Sequence, residues 1–479
     1  SGPGATNLVT GIANAYLDST PLVAITGNVA TTMLGRDSFQ EVDITGITMP
    51  ITKHNYLVKD VTKLADTLRE AFYLAQNGRP GPVLVDIPKD VQTARTEYEE
   101  ASYRPAENGQ EVCPEAVKRA AELIRKAKRP YIYCGGGVIK AGASKELREF
   151  ADRIDAPVGF SIMGLTALPW EHPRFLGMVG MHGRFAATKA LYESDLVIAI
   201  GVRFSDRATG NKAEFMEGRS FLHIDIDAAE IGKNIDATDC ILGDVKAVLQ
   251  KLCEAMEPQS HPEWNERVRA LKNHPDNSID MAPGKLTPQN VIEGACRRHG
   301  AGVVATDVGQ HQMWVTQYYR FSEPRTLVTS GGLGTMGFGM GAAIGACMGL
   351  GNKRTVLFTS DGSFHMNLNE LATAVSNNLP ILVILLDNQV LGMVRQWQTL
   401  FFGGRYSNTT LERKTDYVRL AEAFGAKGYR AATVEEYEKA LDAAFAEDGP
   451  VVIHCLIDRD ERVLPMIPPG GGISDIILR

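Results

Sequence analysis

The sequence predicts an α/β protein of three domains, each built on a parallel sheet flanked by helices. Three observations carry that reading. Short apolar runs recur along the chain, and longer segments of helical periodicity follow them. Polar, charged stretches at 93–111 and 257–285 separate three such regions. The 47 glycines cluster just after the apolar runs, where α/β sheets bind phosphates and cofactors. At 479 residues the chain exceeds a single hydrophobic core, in keeping with domains at 1–92, 113–256 and 286–479.

The first region opens on SGPGATN, a glycine-proline turn that runs directly into a helix. Leu8, Ile12 and Ala15 fall at helical spacing, and Asp18 and Ser19 close the helix before Pro21. Such a start looks cut from the middle of a domain, which would leave Leu8 and Ile12 exposed. PLVAITG (21–27) and PVLVDIP (82–88) predict buried strands, with a helix over 61–78 between them. The second region predicts strands at YIYCG, PVGFS, DLVIAIG and FLHIDID. The third predicts them at VVATDVG, TVLFTSD, ILVILLDN and PVVIHCLID. This alternation argues for parallel sheets covered on both faces.

Composition narrows the function. A net charge of −7 and a pI of about 5.9 give no nucleic-acid footprint. No apolar run approaches the roughly 20 residues that span a bilayer, so no membrane partner is expected. Seven cysteines lie far apart without a CxxC pair, which predicts reduced structural thiols and a cytoplasmic location.

The sharpest local feature spans 355–389. A strand ends in Ser360, Asp361, Gly362 and Ser363; a helix follows with Leu368, Leu371, Ala372 and Val375 on one face; a second strand ends in Asp387 and Asn388. The crossover makes the two strands parallel, so Asp361 and Asn388 share the edge where α/β folds bind ligands. Both offer hard oxygen atoms, and a backbone carbonyl just beyond, at Val390, with diphosphate oxygens would complete an octahedron for Mg²⁺. Asp-Gly at a strand end is also an ordinary turn.

Asp-Gly at one strand end and Asn at the next, 27 residues apart, resembles the metal-diphosphate motif of thiamine diphosphate enzymes. Ser360 stands where that motif usually has glycine, and serine tolerates positive φ poorly. SGPGATN, TGNVA, DSFQE, GRPGPVLVDIPKDV, GMHG, GVRFSDR, HIDID, GQHQMW, SGGLGTMGFG and LGMVRQWQ, in that order, resemble the catalytic subunits of acetohydroxyacid (acetolactate) synthases. The resemblance implies a thiamine diphosphate-binding fold with a central FAD-binding domain, between pyrimidine-binding and diphosphate-binding domains.

It further implies roles for individual residues. Gly309, Gln310, His311, Gly362 and Ser363 would hold the diphosphate; Gly334, Met336 and Met393 would hold the bent cofactor. His311 could otherwise be a helix cap, and the methionines could fill core gaps. Trp397 would bias the second substrate toward 2-ketobutyrate. Phe39, Gln40 and Lys89 would lie at the substrate channel. Arg79, Gly135, Gly136, Gly137, Met181, His182, Gly183, Arg203, Arg207, Asp225, Ile226, Asp227 and Asp244 would surround a structural FAD. Three glycines let backbone approach a phosphate, although the GxGxxG fingerprint is absent.

The implied reaction is the thiamine diphosphate-dependent joining of pyruvate, with loss of CO₂, to a second pyruvate or to 2-ketobutyrate. A homodimer or homotetramer and a small regulatory subunit are implied partners. The family's activating glutamate would lie upstream of SGPGATN, outside this sequence, so residues 1–479 alone are expected to catalyse poorly. Pyruvate oxidase, glyoxylate carboligase and a non-catalytic flavin-binding protein remain alternatives at this point.

Overall fold

Three parallel sheets organise the chain. The structure is a computed structural model that describes residues 1–102, 104–106, 111–275 and 285–478. Parts of both polar stretches, at 103, 107–110 and 276–284, lie outside the described residues.

One compact unit comprises Ser1–Glu111 with Gly331–Leu333. Its sheet contains β1 (Leu22–Asn28), β2 (His54–Leu57) and β3 (Pro82–Pro88), in the order β1-β3-β2. The central β3 is buried at every position because both its faces are covered. Val83, Val85 and Ile87 pack with Ala71 and Ala75 of the helix Leu64–Gln76, while Leu84 packs with Ala5, Ile12, Ala24 and Ile44. Ile12 is thus 2% exposed, contrary to expectation, and Leu8 is 41% exposed. The opening turn has a steric cause: Gly2 sits at φ +47, and a Cβ there would lie 2.6 Å from the Gln40 carbonyl oxygen.

The other unit comprises Val112–Ser330 with Gly334–Arg479 and holds two six-stranded sheets. The first contains β4 (Pro130–Cys134), β5 (Val158–Phe160), β6 (Phe175–Met178), β7 (Leu196–Ile200), β8 (Ser220–Asp225) and β9 (Asp239–Leu242). Their order is β6-β5-β4-β7-β8-β9. The second contains β10 (Val303–Thr306), β11 (Leu327–Val328), β12 (Thr355–Ser360), β13 (Ile381–Asp387), β14 (Lys427–Ala431) and β15 (Val451–Leu456). Their order is β11-β10-β12-β13-β15-β14, and buried side chains of both sheets join in one core.

Two segments depart from expectation. Within the second polar stretch, Pro262–Lys272 is a helix that buries Trp264, Val268 and Leu271 among charged neighbours. The helix after β12 is interrupted: Asp361–Asn367 and Leu371–Ser376 flank a 3₁₀ turn at Leu368–Glu370. At the break, Asn367 leaves helical geometry with φ −142 while its amide donates to the Gly337 carbonyl at 2.8 Å. All seven cysteines are free thiols. Among the described residues no helix is long and apolar enough to cross a membrane.

Candidate active site

Parallel pairing of β10, β12 and β13 brings their C-terminal ends to one edge, with Ser360 in register with Leu386. There Val308, Gly309, Gln310, His311, Met336, Ser360, Gly362, Ser363, Asn388, Val390 and Met393 line one slot. Nine of these residues are anticipated from sequence. Ser360 needs no positive φ: its backbone is extended (φ −132, ψ 168), and its Oγ caps the following helix by accepting from the Ser363 N–H at 3.4 Å. Asp361 opens that helix, and its buried Oδ1 has no hydrogen-bond partner. Burial first, and the charge of Asp387 second, hold its carboxyl well above the ordinary range. A cation in the slot would relieve both effects.

Asn388 supplies a second oxygen; its Oδ1 accepts from the Val390 N–H at 3.3 Å. Among the described residues no cluster of three or more His, Cys, Asp or Glu side chains could hold a metal. The donor set Asp361, Asn388 and the Val390 carbonyl therefore fits a hard cation whose remaining ligands come from a phosphate or water.

The helix Gln310–Tyr318 begins at the slot, with Gly309 as its N-cap at φ 154, so its free N–H groups and positive dipole end suit an anion. His311 is not a surface cap: it is fully buried with Nε2 unpartnered, and burial pushes its imidazole down to about 3. A neutral ring with an orphaned nitrogen and bare helix N–H groups is a donor set that fits a diphosphate. Gln310 is used differently. Its Nε2 donates to Gln396 Oε1 at 3.1 Å and to the Glu461 carbonyl at 2.9 Å, and its Oε1 accepts from Asn388 Nδ2 at 3.3 Å. Four successive carbonyls, of Glu461, Arg462, Val463 and Leu464, accept from Gln310, Trp314, Gln396 and Gln317.

The glycine-rich turn is fixed by two side chains that sequence reasoning missed. Ser330 Oγ accepts from the Gly334 and Thr335 N–H groups at 3.1 Å each, and buried Asp307 accepts from Gly337 at 2.8 Å. The ending ATDVG of β10 is the signal that could have found Asp307, because it sets a carboxylate at a strand end. The pairing of Asp387 with His454 was also missed; they form a buried pair at 2.7 Å on neighbouring strands.

A second cavity of about 490 Å³ adjoins the slot through Met393 and Val394 and is walled by Trp397, Gln398, Phe402 and Arg405. Arg207 lies over the Trp397 ring, 5.7 Å from its centroid.

The residues expected around FAD gather at the C-terminal edge of the other sheet. Gly135 follows β4, Met181 to Gly183 follow β6, Arg203 follows β7, Asp225 ends β8 and Asp244 follows β9. His182 Nδ1 is buried without a partner, and burial with the nearby Arg207 charge lowers its imidazole to about 4. Arginines, carboxylates and an orphaned donor fit a dinucleotide. Asp225 and Asp244 also have local tasks, accepting from the Asp227 and Ala247 N–H groups. The glycines have a packing reason of their own. A Cβ on Gly135 would sit 2.1 Å from the Gly201 oxygen, one on Gly137 2.6 Å from Gly201 Cα, and one on Gly136 3.0 Å from Met163.

Four expected residues belong to the smaller unit. Phe39 is 89% exposed, Gln40 is exposed at φ 60, and Lys89 is exposed at the start of the helix Lys89–Thr93. Arg79 Nε donates to Ser19 Oγ at 2.9 Å.

The chain matches the thiamine pyrophosphate enzyme N-terminal TPP binding domain over 1–47, the central domain over 117–252 and the C-terminal TPP binding domain over 307–455. The probable acetolactate synthase large subunit of Methanocaldococcus jannaschii is 43% identical across 100% of this chain and 83% of its own length. The acetolactate synthase large subunit of Corynebacterium glutamicum is 46% identical across 99% of this chain and 78% of its own length. The acetolactate synthase isozyme 2 large subunit of Escherichia coli is 43% identical across 100% of this chain and 86% of its own length. Whole-chain identity to these subunits, together with the three matched domains, makes the chain a member of the acetolactate synthase large-subunit family of thiamine pyrophosphate enzymes.

Proposed function

We propose that the chain is the catalytic subunit of an acetolactate synthase, joining pyruvate to pyruvate or to 2-ketobutyrate, with Mg²⁺ and FAD bound beside thiamine diphosphate. The observation that carries this is that His311 Nε2, on the slot, and Asp361 Oδ1, between its lining residues Ser360 and Gly362, are both buried without partners. Bound thiamine diphosphate supplies the electron sink that lets one pyruvate lose CO₂ and its remaining two carbons join a second 2-oxo acid. The chain's residues do the rest. Asp361, Asn388 and the Val390 carbonyl hold the cation; His311 and the N–H groups after Gly309 hold the diphosphate; Met336 and Met393 fill the space beside the cofactor and keep water out. Trp397 borders the cavity where an acceptor enters, its ring offered to the alkyl group, and Arg207 covers that ring. Met181, His182, Arg203, Arg207 and Asp225 hold FAD, with no redox step assigned to it.

The domain division 1–92, 113–256 and 286–479 belongs to this proposal, as do assembly into at least a homodimer and pairing with a small regulatory subunit. The test combines the chain with thiamine diphosphate, Mg²⁺, FAD and pyruvate, and follows CO₂ and acetolactate together. Whatever acetolactate forms is expected to be lost in Asp361→Ala, a variant also expected to weaken thiamine diphosphate binding by calorimetry at least tenfold. Normal cofactor affinity in that variant would refute the cation site.

A further inference from the structure

A metal ligand must offer oxygen, yet an asparagine amide can turn either end toward a cation. The buried amides behind Asn388 decide which end it shows. Gln396 is 3% exposed on the helix Gly392–Phe401. Its Oε1 accepts from the Val463 N–H at 2.8 Å, and its Nε2 donates to the Val463 carbonyl at 3.0 Å. A backbone unit cannot reverse its own donor and acceptor, so Gln396 has one permitted orientation. Its oxygen then accepts a hydrogen bond from Gln310 Nε2 at 3.1 Å, and the Glu461 carbonyl accepts a second from the same nitrogen at 2.9 Å. Both hydrogens on that nitrogen are engaged, so Gln310 turns its oxygen to Asn388 Nδ2 at 3.3 Å. The Asn388 oxygen is left accepting from the Val390 N–H at 3.3 Å, beside the residue whose carbonyl is a further candidate ligand. Space permits no other occupant beside Gln310: a Cβ on Gly392 would sit 1.9 Å from its oxygen.

We infer that Gln396 and Gln310 are positioning residues, an amide relay anchored on the Val463 backbone that keeps the oxygen of Asn388 turned to the metal. The inference rests on Asn388 being a metal ligand. It gives Gln310 a task other than direct contact with the diphosphate, and Gln396 a task beside its neighbour Trp397.

The experiment is Mg²⁺ titration of the full chain with thiamine diphosphate present, followed by calorimetry. Gln396→Met fills the same volume without an amide and is expected to weaken Mg²⁺ binding roughly tenfold. Gln396→Glu keeps an oxygen for Gln310 and is expected to restore most of that loss. The decisive arm is the background Asn388→Asp, whose two oxygens need no orienting; there Gln396→Met should change Mg²⁺ affinity by less than about twofold. Gln310→Met, which removes the middle of the relay, must follow the same pattern. Equal losses in both backgrounds, or no loss in either, overturn the relay. Asn388→Ala separates the two readings. If it leaves Mg²⁺ binding unchanged, the ligand assignment falls and the relay with it. If it weakens binding while the losses stay equal, the relay alone falls.

Discussion

Trp397 meets two environments. One face of its helix lines the slot through Met393, and the indole itself borders the larger cavity beneath Arg207 and edge-on to Phe401. An indole held there offers flat apolar area to an alkyl group, and 2-ketobutyrate differs from pyruvate by one methylene. One buried methylene is worth about 1–3 kcal/mol in discrimination. Trp397→Leu is therefore expected to shift product from the 2-ketobutyrate adduct toward acetolactate by tenfold or more when both acids compete. An unchanged product ratio would remove Trp397 from acceptor choice. Its Nε1 is buried without a hydrogen-bond partner, so the leucine variant loses no internal hydrogen bond that would confuse the comparison.

At the scale of elements, position in a sheet decided what could be read from sequence. The five strands missed in the sequence, β2, β6, β9, β11 and β14, all lie at sheet edges. Nine of the ten found are interior, where both faces are covered and apolar residues predominate; β1 is the exception. An edge strand such as Lys427–Ala431 carries charge and glycine because water reaches it, so no apolar run marks it. The same logic hid the helix Pro262–Lys272, whose three buried residues lie among charged ones. In the site, residues at strand ends with motif spacing were legible, whereas Gln396, Asp307 and His454 act through partners far along the chain. The glycines after β4 show what a motif conceals. Gly201 holds φ +58, and a Cβ there would sit 2.6 Å from Gly137 Cα, backbone against backbone. Gly201→Ala is expected to lower unfolding stability by about 1–3 kcal/mol in urea titrations without any flavin present. Unchanged stability would mean that these glycines serve a ligand alone.

The larger unit as a whole carries buried histidines that tie its stability to pH. Burial holds His311 down to about 3 and His182 down to about 4. Unfolded, both titrate near ~6.5. Below that value the unfolded chain binds protons that the folded one refuses, so the stability is complete above about pH 6.5 and falls as pH drops. Each histidine contributes a slope of up to about 1.4 kcal/mol per pH unit. The urea midpoint is expected to fall steadily from pH 6.5 to 4, and His311→Gln to flatten that decline; an equal slope in the variant would contradict a neutral buried ring. The run of carbonyls from Glu461 to Leu464 has a consequence in time. Gln310 lies 151 residues, Trp314 148 and Gln317 147 residues ahead of the carbonyls they bond. At the usual pace of a ribosome, their amide and indole protons emerge roughly seven to thirty seconds before those acceptors exist. Until then water must serve as their partner, so the sheet edge can assemble early while its interior order arrives only with the residues that follow β15.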